Sequence, residues 1–88
     1  MARFVLQLSF KNNERRLETR PAHRDYLRSL VEKGKLVTAG PFADDTGALL
    51  VYEAADEAEV RDILAADPYT AADAYDIVQL REWTPILP

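Results

Sequence analysis

The chemistry that this sequence can support centres on one histidine, His23, and one aspartate, Asp67. His23 is the only histidine in the chain, and an imidazole titrates near neutral pH, which suits it to general acid or base catalysis. A carboxylate that accepts a hydrogen bond from one imidazole nitrogen fixes the tautomer and raises the basicity of the other nitrogen. His23 and Asp67 would therefore form a proton-transfer dyad if the fold brings them together.

Each of the two residues also has a purely structural interpretation. A histidine on an apolar helix face is often a core or capping residue. An aspartate before a proline, as in Asp67-Pro68, is a common end of a helix. A contact between the two side chains could likewise be a structural hydrogen bond, so both interpretations stay open from the residues alone.

A positively charged residue lies close to the histidine in the sequence. Arg20 stands three residues before His23, which places both side chains on one face of a helix. Its planar guanidinium could bind a carboxylate or a phenolate of a substrate, or it could be a solvated surface charge. Ser9 is a weaker candidate for substrate binding, and nothing around it indicates a nucleophile.

Aromatic and small residues complete the candidate binding set. Tyr69 and Tyr75 could line a small apolar pocket with a polar edge, or they could pack in the core. Gly40 and Pro41 would leave bare backbone that admits a ligand, or they could simply mark the end of a strand.

The pattern of apolar residues predicts four strands. They cover residues 4–10, 36–42, 48–54 and 74–83, where apolar residues alternate with polar ones or form short runs between turn residues. The last strand is followed by an apolar tail over residues 84–88.

Helical spacing and helix-end signals predict two helices. They cover residues 20–33 and 56–67. Pro21 suits the first turn of the first helix, so only a loose helical turn is expected before it, at residues 14–19. Pro68 stops the second helix, and Asp67 is expected to be the last residue of that helix.

This order of elements is β-α-β-β-α-β, the ferredoxin-like arrangement of the α+β class. Right-handed crossovers then give a four-stranded antiparallel sheet with both helices on one face. The start of the first helix and the end of the second helix lie at the same end of such a domain. We therefore expect His23 and Asp67 to meet there, near the strand ends that carry Ser9, Gly40-Pro41 and Tyr75.

Composition limits the functions that the chain can have. Its 88 residues favour a single domain over residues 1–88. The net charge of −4 argues against a nucleic-acid partner and against an anionic membrane surface. The N-terminal residues do not form a signal peptide and no stretch reaches the roughly 20 apolar residues of a membrane helix, so we expect a cytoplasmic protein.

No residue pattern indicates a bound cofactor or metal. The chain has no cysteine, no phosphate-binding glycine loop and no set of metal-spaced histidines. Asp44 and Asp45 are adjacent but have no further oxygen ligand nearby, so a solvated turn is the better interpretation of that pair. We therefore expect neither a cofactor nor a metal.

Two strands carry apolar residues on both faces. Leu6 and Val5 point to opposite faces of the first strand, and Leu50 and Leu49 do so in the third. Because two helices cover only one face of the sheet, the other face needs a partner. This pattern predicts a homodimer.

The ordered set of site residues resembles the YciI-like (YCII-related) family. The matching features are Arg20-x-x-His23, Ala39-Gly40-Pro41 and Asp67-Pro68-Tyr69, followed by Ala72 and Tyr75. The resemblance implies a ferredoxin-like fold that pairs into a dimeric α+β barrel, and a site built on His23 and Asp67. One branch of the family performs dehydrochlorination of a chlorinated hydroxyquinone. Tyr69 stands where the family often has phenylalanine.

The residues and the resemblance together favour a small cofactor-free lyase or isomerase. His23 would move a proton on a small organic substrate that is cyclic, aromatic or chlorinated, while Asp67 orients His23. The alternative is a binding or accessory protein that uses the same pocket without turnover. RNA binding through the sheet is disfavoured by the acidic charge and by the lack of a basic aromatic strand motif.

Overall fold

The computed structural model of the chain describes residues 1–87, which form four strands and three helices. The strands are β1 (Ala2–Phe10), β2 (Leu36–Pro41), β3 (Gly47–Ala54) and β4 (Tyr75–Trp83). The helices are α1 (Asn13–Glu32), α2 (Glu57–Ala65) and α3 (Pro68–Ala71). Residues 84–87 of the predicted tail follow β4 without regular secondary structure, and Pro88 lies outside the described residues. None of the three helices is long and apolar enough to cross a membrane.

The four strands form one antiparallel sheet in the order β2-β3-β1-β4. β1 lies in the centre, between β3 and β4, and the helices cover one face of the sheet. The ferredoxin-like fold that the sequence predicted is therefore confirmed, with the predicted order of strands and helices along the chain. The additional short helix α3 lies between α2 and β4.

The core lies between the sheet and the helices. In β1 every second residue is buried against the helices, so that Phe4, Leu6 and Leu8 are at most 4 % exposed. Buried residues of β3, α1 and α2 complete this layer: Leu50, Tyr52, Ala54, Leu30, Val60 and Leu64. Burial of each large apolar side chain contributes about 1.5–3 kcal/mol, which makes this layer the main source of stability.

The first helix begins at Asn13 rather than at residue 20. Residues 14–19 are not a separate turn, because they form the first turns of α1, and Pro21 lies inside the helix. Residues 14–18 are strong helix formers, and Arg16 is buried against the rest of the domain. These contributions outweigh the one hydrogen bond that Pro21 removes. His23 consequently lies in the middle of α1 and not near its start.

The second helix ends at Ala65, so the prediction that Asp67 is its last residue is wrong. Asp67 has extended backbone angles (φ −70°, ψ 129°), and its side chain accepts a hydrogen bond from the backbone N–H of Tyr69. Aspartate is a favourable residue at this capping position, and proline is favourable directly after it. Asp67 and Pro68 therefore start α3 instead of ending α2.

Directly after the β2–β3 turn, the backbone of β3 at Gly47 approaches the backbone of β1 very closely. Asp44 accepts hydrogen bonds from the backbone and the hydroxyl of Thr46, and Gly47 pairs with Ser9 of β1. A Cβ atom at Gly47 would overlap the carbonyl oxygen of Leu8. The close approach of the two backbones therefore requires glycine at this position.

We predict that Gly47→Ala destabilises the protein and that Gly40→Ala does not. The methyl group at position 47 would force β1 and β3 apart, at a cost of about 1–3 kcal/mol. Gly40 has open space around its Cβ position and no positive φ, so its substitution should change stability by no more than about 0.5 kcal/mol. Urea denaturation of both variants measures the difference, and equal midpoints would contradict this account of Gly47.

Candidate active site

His23 and Asp67 meet in the interior of the domain. Nδ1 of His23 lies 2.7 Å from Oδ1 of Asp67, and their side chains are 11 % and 3 % exposed. An ionised carboxylate can only accept a hydrogen bond, so Nδ1 carries the proton of the neutral imidazole. Nε2 is then unprotonated, and it is the ring nitrogen that remains for a proton of a ligand.

The start of α3 also supplies a stacking partner for the imidazole. The ring of Tyr69 stacks on that of His23, with centroids 3.7 Å apart and planes inclined by 3°. Phe10 contacts Tyr69 edge to face at 6.3 Å. The backbone N–H of Tyr69 donates to Oδ1 of Asp67 at 2.9 Å. The imidazole is therefore held at its edge by Asp67 and across its face by Tyr69.

A cavity of about 150 Å³ opens beside His23. Its walls come from α1, α3 and the first three strands. The apolar part of the lining consists of Leu8, Phe10, Leu27, Ala39, Ala48 and Leu50. The charged part consists of Arg16, Arg20, Arg24 and Asp45. Asp67 does not line the cavity, so it can reach a ligand only through His23.

Most of the residues that the sequence singled out for binding lie at this cavity. His23, Arg20, Tyr69, Gly40 and Pro41 all line it. Gly40 and Pro41 belong to the edge strand β2, where they form the wall that faces α1. The structure therefore brings together residues from three distant parts of the sequence.

Ser9 and Tyr75 do not lie at the cavity. Ser9 is exposed and alternates with the buried Leu8, so it belongs to the sheet face that points away from the helices. Strand alternation could have shown this, because residues of opposite parity face opposite sides. The hydroxyl of Tyr75 lies 2.6 Å from that of Thr70, and its ring packs against the core.

Arg16 is a site residue that the sequence reasoning missed. Its guanidinium lies 4.2 Å from the centre of the Phe10 ring and 3.1 Å from Oδ2 of Asp45, and its side chain is only 4 % exposed. The signal was available, since Arg16, Arg20 and Arg24 recur at helical spacing. The misplaced start of α1 had left residue 16 outside the predicted helix.

The buried phenols near the dyad stay protonated at neutral pH. Burial raises the pKa of Tyr26 and, more strongly, of Tyr52, and the negative charge of Asp67 adds to both effects. Burial also raises the pKa of Tyr75, which its hydrogen bond with Thr70 opposes. None of these phenols therefore adds a second negative charge beside the carboxylate of Asp67.

Fold and site together define the class of protein, a ferredoxin-like α+β domain with a buried His–Asp pair beside a small cavity. The family model of the YCII-related domain matches residues 2–84 of this sequence. The chain therefore belongs to the YCII-related family, which confirms the resemblance seen in the sequence.

Two relatives show how far the sequence similarity extends. The protein YciI of Escherichia coli O6:H1 is 35 % identical over 78 residues, which cover 77 % of this chain and 80 % of that protein. Derivative of benzaldehyde biosynthesis cluster protein C of Emericella nidulans is 36 % identical over 67 residues, which cover 64 % of this chain and 68 % of that protein.

A solved structure has the same fold over nearly its whole length. This is the 5-chloro-2-hydroxyhydroquinone dehydrochlorinase of Burkholderia phenoliruptrix, in complex with 2,5-dihydroxybenzoquinone. It superposes with a TM-score of 0.78 and 27 % sequence identity, and the match covers 93 % of each chain. That relative is an enzyme that binds a small oxygenated ring.

Within residues 1–87, no group of three or more histidine, cysteine, aspartate or glutamate side chains is placed to hold a metal ion. The charged side chains at the cavity are arginines and one aspartate. The chemistry that these groups can provide is acid–base transfer at His23 and binding of negative charge by the arginines.

We predict that Asp67→Asn disturbs the tautomer of His23 and leaves the fold in place. Asparagine caps a helix about as well as aspartate, so α3 should persist. Its amide can donate as well as accept, so the preference for a proton on Nδ1 should weaken. The ¹⁵N NMR signals of His23 measure this directly, because the chain has no other histidine.

Asp25→Asn is the matched control for that variant. Asp25 lies on α1, is 78 % exposed and pairs with Arg28, so its substitution removes the same charge without touching the His23–Asp67 hydrogen bond. Identical His23 spectra for wild type and Asp67→Asn would mean that the hydrogen bond does not set the tautomer.

Proposed function

We propose that this protein is a small lyase or isomerase in which His23 transfers a proton on a cyclic or aromatic substrate. The observation that carries the proposal is the 2.7 Å contact between Nδ1 of His23 and the buried carboxylate of Asp67, on an imidazole that lines a cavity. A base of this kind can act at neutral pH, because the carboxylate stabilises the imidazolium that forms.

The proposed step begins with removal of a substrate proton by Nε2 of His23. In a lyase, the electron pair of the broken C–H or O–H bond forms a new double bond while a halide leaves, so the substrate loses one proton and one halide ion. In an isomerase, the same proton returns to another atom of the substrate. Asp67 keeps its own charge throughout and acts as the positioning residue for His23.

Arg20 is the proposed binding partner for negative charge on the substrate oxygen. It lines the cavity and is only half-buried, so a ligand can reach its guanidinium. Hydrogen bonds between arginine and an anionic oxygen are stronger than neutral ones. The dehydrochlorinase relative, which is described with a dihydroxybenzoquinone, supports a ring that carries acidic oxygens as the substrate class.

We predict that the wild-type protein consumes a chlorinated or hydroxylated ring compound and that His23→Gln loses this activity. Removal of a general base lowers a rate by about 10² to 10⁴-fold. Incubation with a panel of such aromatics and lactones, followed by mass spectrometry, measures the conversion. Arg28→Gln is the control, since Arg28 is exposed and lies away from the cavity.

The same screen separates an enzyme from a binding protein. A panel compound that binds tightly and stays unchanged after long incubation would favour a binding or accessory role, and would contradict the proposed catalysis. Conversion that persists in His23→Gln would show that the imidazole is not the base.

We also propose that two copies of the chain associate through the sheet face that carries no helices. Large apolar side chains lie exposed there, since Leu49 is 40 % exposed and Trp83 46 %. Leu49 and Trp83 border a shallow depression together with Val5 and Val51. Clustered exposed apolar side chains favour association with a partner. Packing of this face against the same face of a second copy would give the α+β barrel.

We predict a species of twice the 9.9 kDa chain mass in sedimentation at micromolar concentration. Leu49→Lys should shift the protein to the monomer, because it places a charge in the proposed interface. Leu17→Lys is the control, since Leu17 is similarly exposed, at 46 %, but lies on α1. A wild-type monomer would contradict the proposed dimer.

A further inference from the structure

Three arginines form a row on one side of the cavity. Arg16, Arg20 and Arg24 follow one another at intervals of four residues on α1, so their side chains lie on the same face of the helix. All three line the cavity beside His23. The row therefore concentrates positive charge at one side of the cavity, in a chain whose net charge is −4.

The first arginine of the row is already neutralised. Arg16 pairs with Asp45 at 3.1 Å, its Nε donates to Oδ1 of Asn13 at 3.2 Å, and its guanidinium lies over the Phe10 ring. These contacts tie α1 to the β2–β3 turn and to β1. The role of Arg16 is therefore to hold the end of the cavity in shape.

The other two arginines have no such partner. Within residues 1–87, neither Arg20 nor Arg24 forms an ion pair with a carboxylate. Arg20 is half-buried and Arg24 is exposed, so both can contact a ligand that enters from solvent. The three arginines lower the pKa of the Tyr69 phenol against the stronger effect of burial, which raises it. The positive charges of the three arginines therefore act on Tyr69, whose ring stacks on His23.

A count of charges indicates the charge of the ligand. Arg16 pairs with Asp45 and His23 pairs with Asp67. In the described part of the chain this leaves Arg20 and Arg24 as the charged groups of the cavity without a carboxylate partner. One anionic group of a ligand can accept hydrogen bonds from both guanidiniums, whereas a neutral ligand would leave both without an anionic partner.

The volume and lining of the cavity indicate the size of the ligand. A dry protein cavity of roughly 150 Å³ is large enough to bind benzene, and the cavity here has about the same volume. Its inner wall is apolar, with Leu8, Leu27 and Leu50, and the arginines stand along one side. A single ring with one charged substituent fits both the wall and the row.

We propose that Arg20 and Arg24 form an anion subsite that selects monocyclic monoanions, with the ring on the apolar wall and the charged group on the two guanidiniums. This proposal deepens the proposed function by naming the class of ligand, and it rests on that function for the identification of the ligand as a substrate. The binding itself requires no reaction at His23.

Benzoate and benzamide test the subsite, because they share a ring and a shape and differ by one charge. Isothermal titration calorimetry on the full chain at pH 7.5 and low salt should show saturable binding of benzoate. Benzamide should bind about tenfold more weakly, which corresponds to about 1.4 kcal/mol. Added NaCl should weaken benzoate and leave benzamide unchanged, because salt screens charge interactions at exposed sites.

Arginine variants assign the effect to the two residues. Arg20→Gln should weaken benzoate by about fivefold and Arg24→Gln by about twofold, the range expected for half-buried and exposed ion pairs. The double variant should bind benzoate and benzamide equally, with the affinity for benzamide unchanged, which also shows that the fold is intact. Arg28→Gln is the matched control on the same helix, since Arg28 is paired with Asp25.

Three results would overturn the subsite. These are no saturable binding of benzoate, equal binding of benzoate and benzamide to the wild-type protein, and an equal loss of benzoate affinity in Arg28→Gln. The His23→Gln variant separates the subsite from the proposed catalysis. It should still prefer benzoate, so a protein that binds benzoate and converts no panel compound would retain the subsite and lose the proposed reaction.

Discussion

The site depends on one hydrogen bond that is closed off from water, between Nδ1 of His23 and Oδ1 of Asp67. A hydrogen bond to a charged group contributes about 1.5–3 kcal/mol, and loss of one partner leaves the other buried without compensation. The bond joins residues that are 44 positions apart in the sequence. It therefore fixes the packing of α3 against α1 as well as the orientation of the imidazole, so that structure and chemistry depend on the same contact.

Asp67 illustrates why the structural and the functional interpretation of a residue need not exclude each other. Its Oδ1 accepts one hydrogen bond from the backbone N–H of Tyr69, in the first turn of α3, and another from the ring of His23. The same carboxylate thus caps a helix and orients the imidazole of His23. The sequence presented these as alternatives, and the structure shows both contacts on a single oxygen atom.

Much of the fold could be predicted because it follows from local patterns. The strands appeared in the period-two alternation, and their order with the helices was enough to indicate a ferredoxin-like sheet. The contact between His23 and Asp67 was also predicted, but from helix ends that the structure places elsewhere, since His23 lies in the middle of α1 and Asp67 caps α3. The start of α1 was harder to predict, because Pro21 is a strong local signal for a first turn. The helix formers at residues 14–18 and the tertiary packing of Arg16 together override that signal. Similarly, α3 is one turn long, and the Asp67-Pro68 pair at its start is equally typical of the end of a preceding helix.

The positions of Ser9 and Tyr75 show a second limit of sequence reasoning. Topology brings strand ends to one end of the domain, but which face a side chain occupies depends on strand parity and on its particular contacts. Ser9 lies on the opposite face of the sheet, and Tyr75 is held by Thr70. Topology therefore identifies the region of a site more reliably than it identifies the residues that line the site.

The edge strand β2 has a consequence for how such a pocket can diversify. Only Leu36 of this strand is buried, and its other residues are exposed. One wall of the cavity is thus built from positions that contribute little to the core, whereas Asp67 and the stacking ring of Tyr69 lie at the start of α3. Mutations along β2 can therefore reshape the pocket at small cost in stability and without changing His23 or Asp67. The shape of the pocket and the hydrogen-bonded pair can then vary independently within one small scaffold.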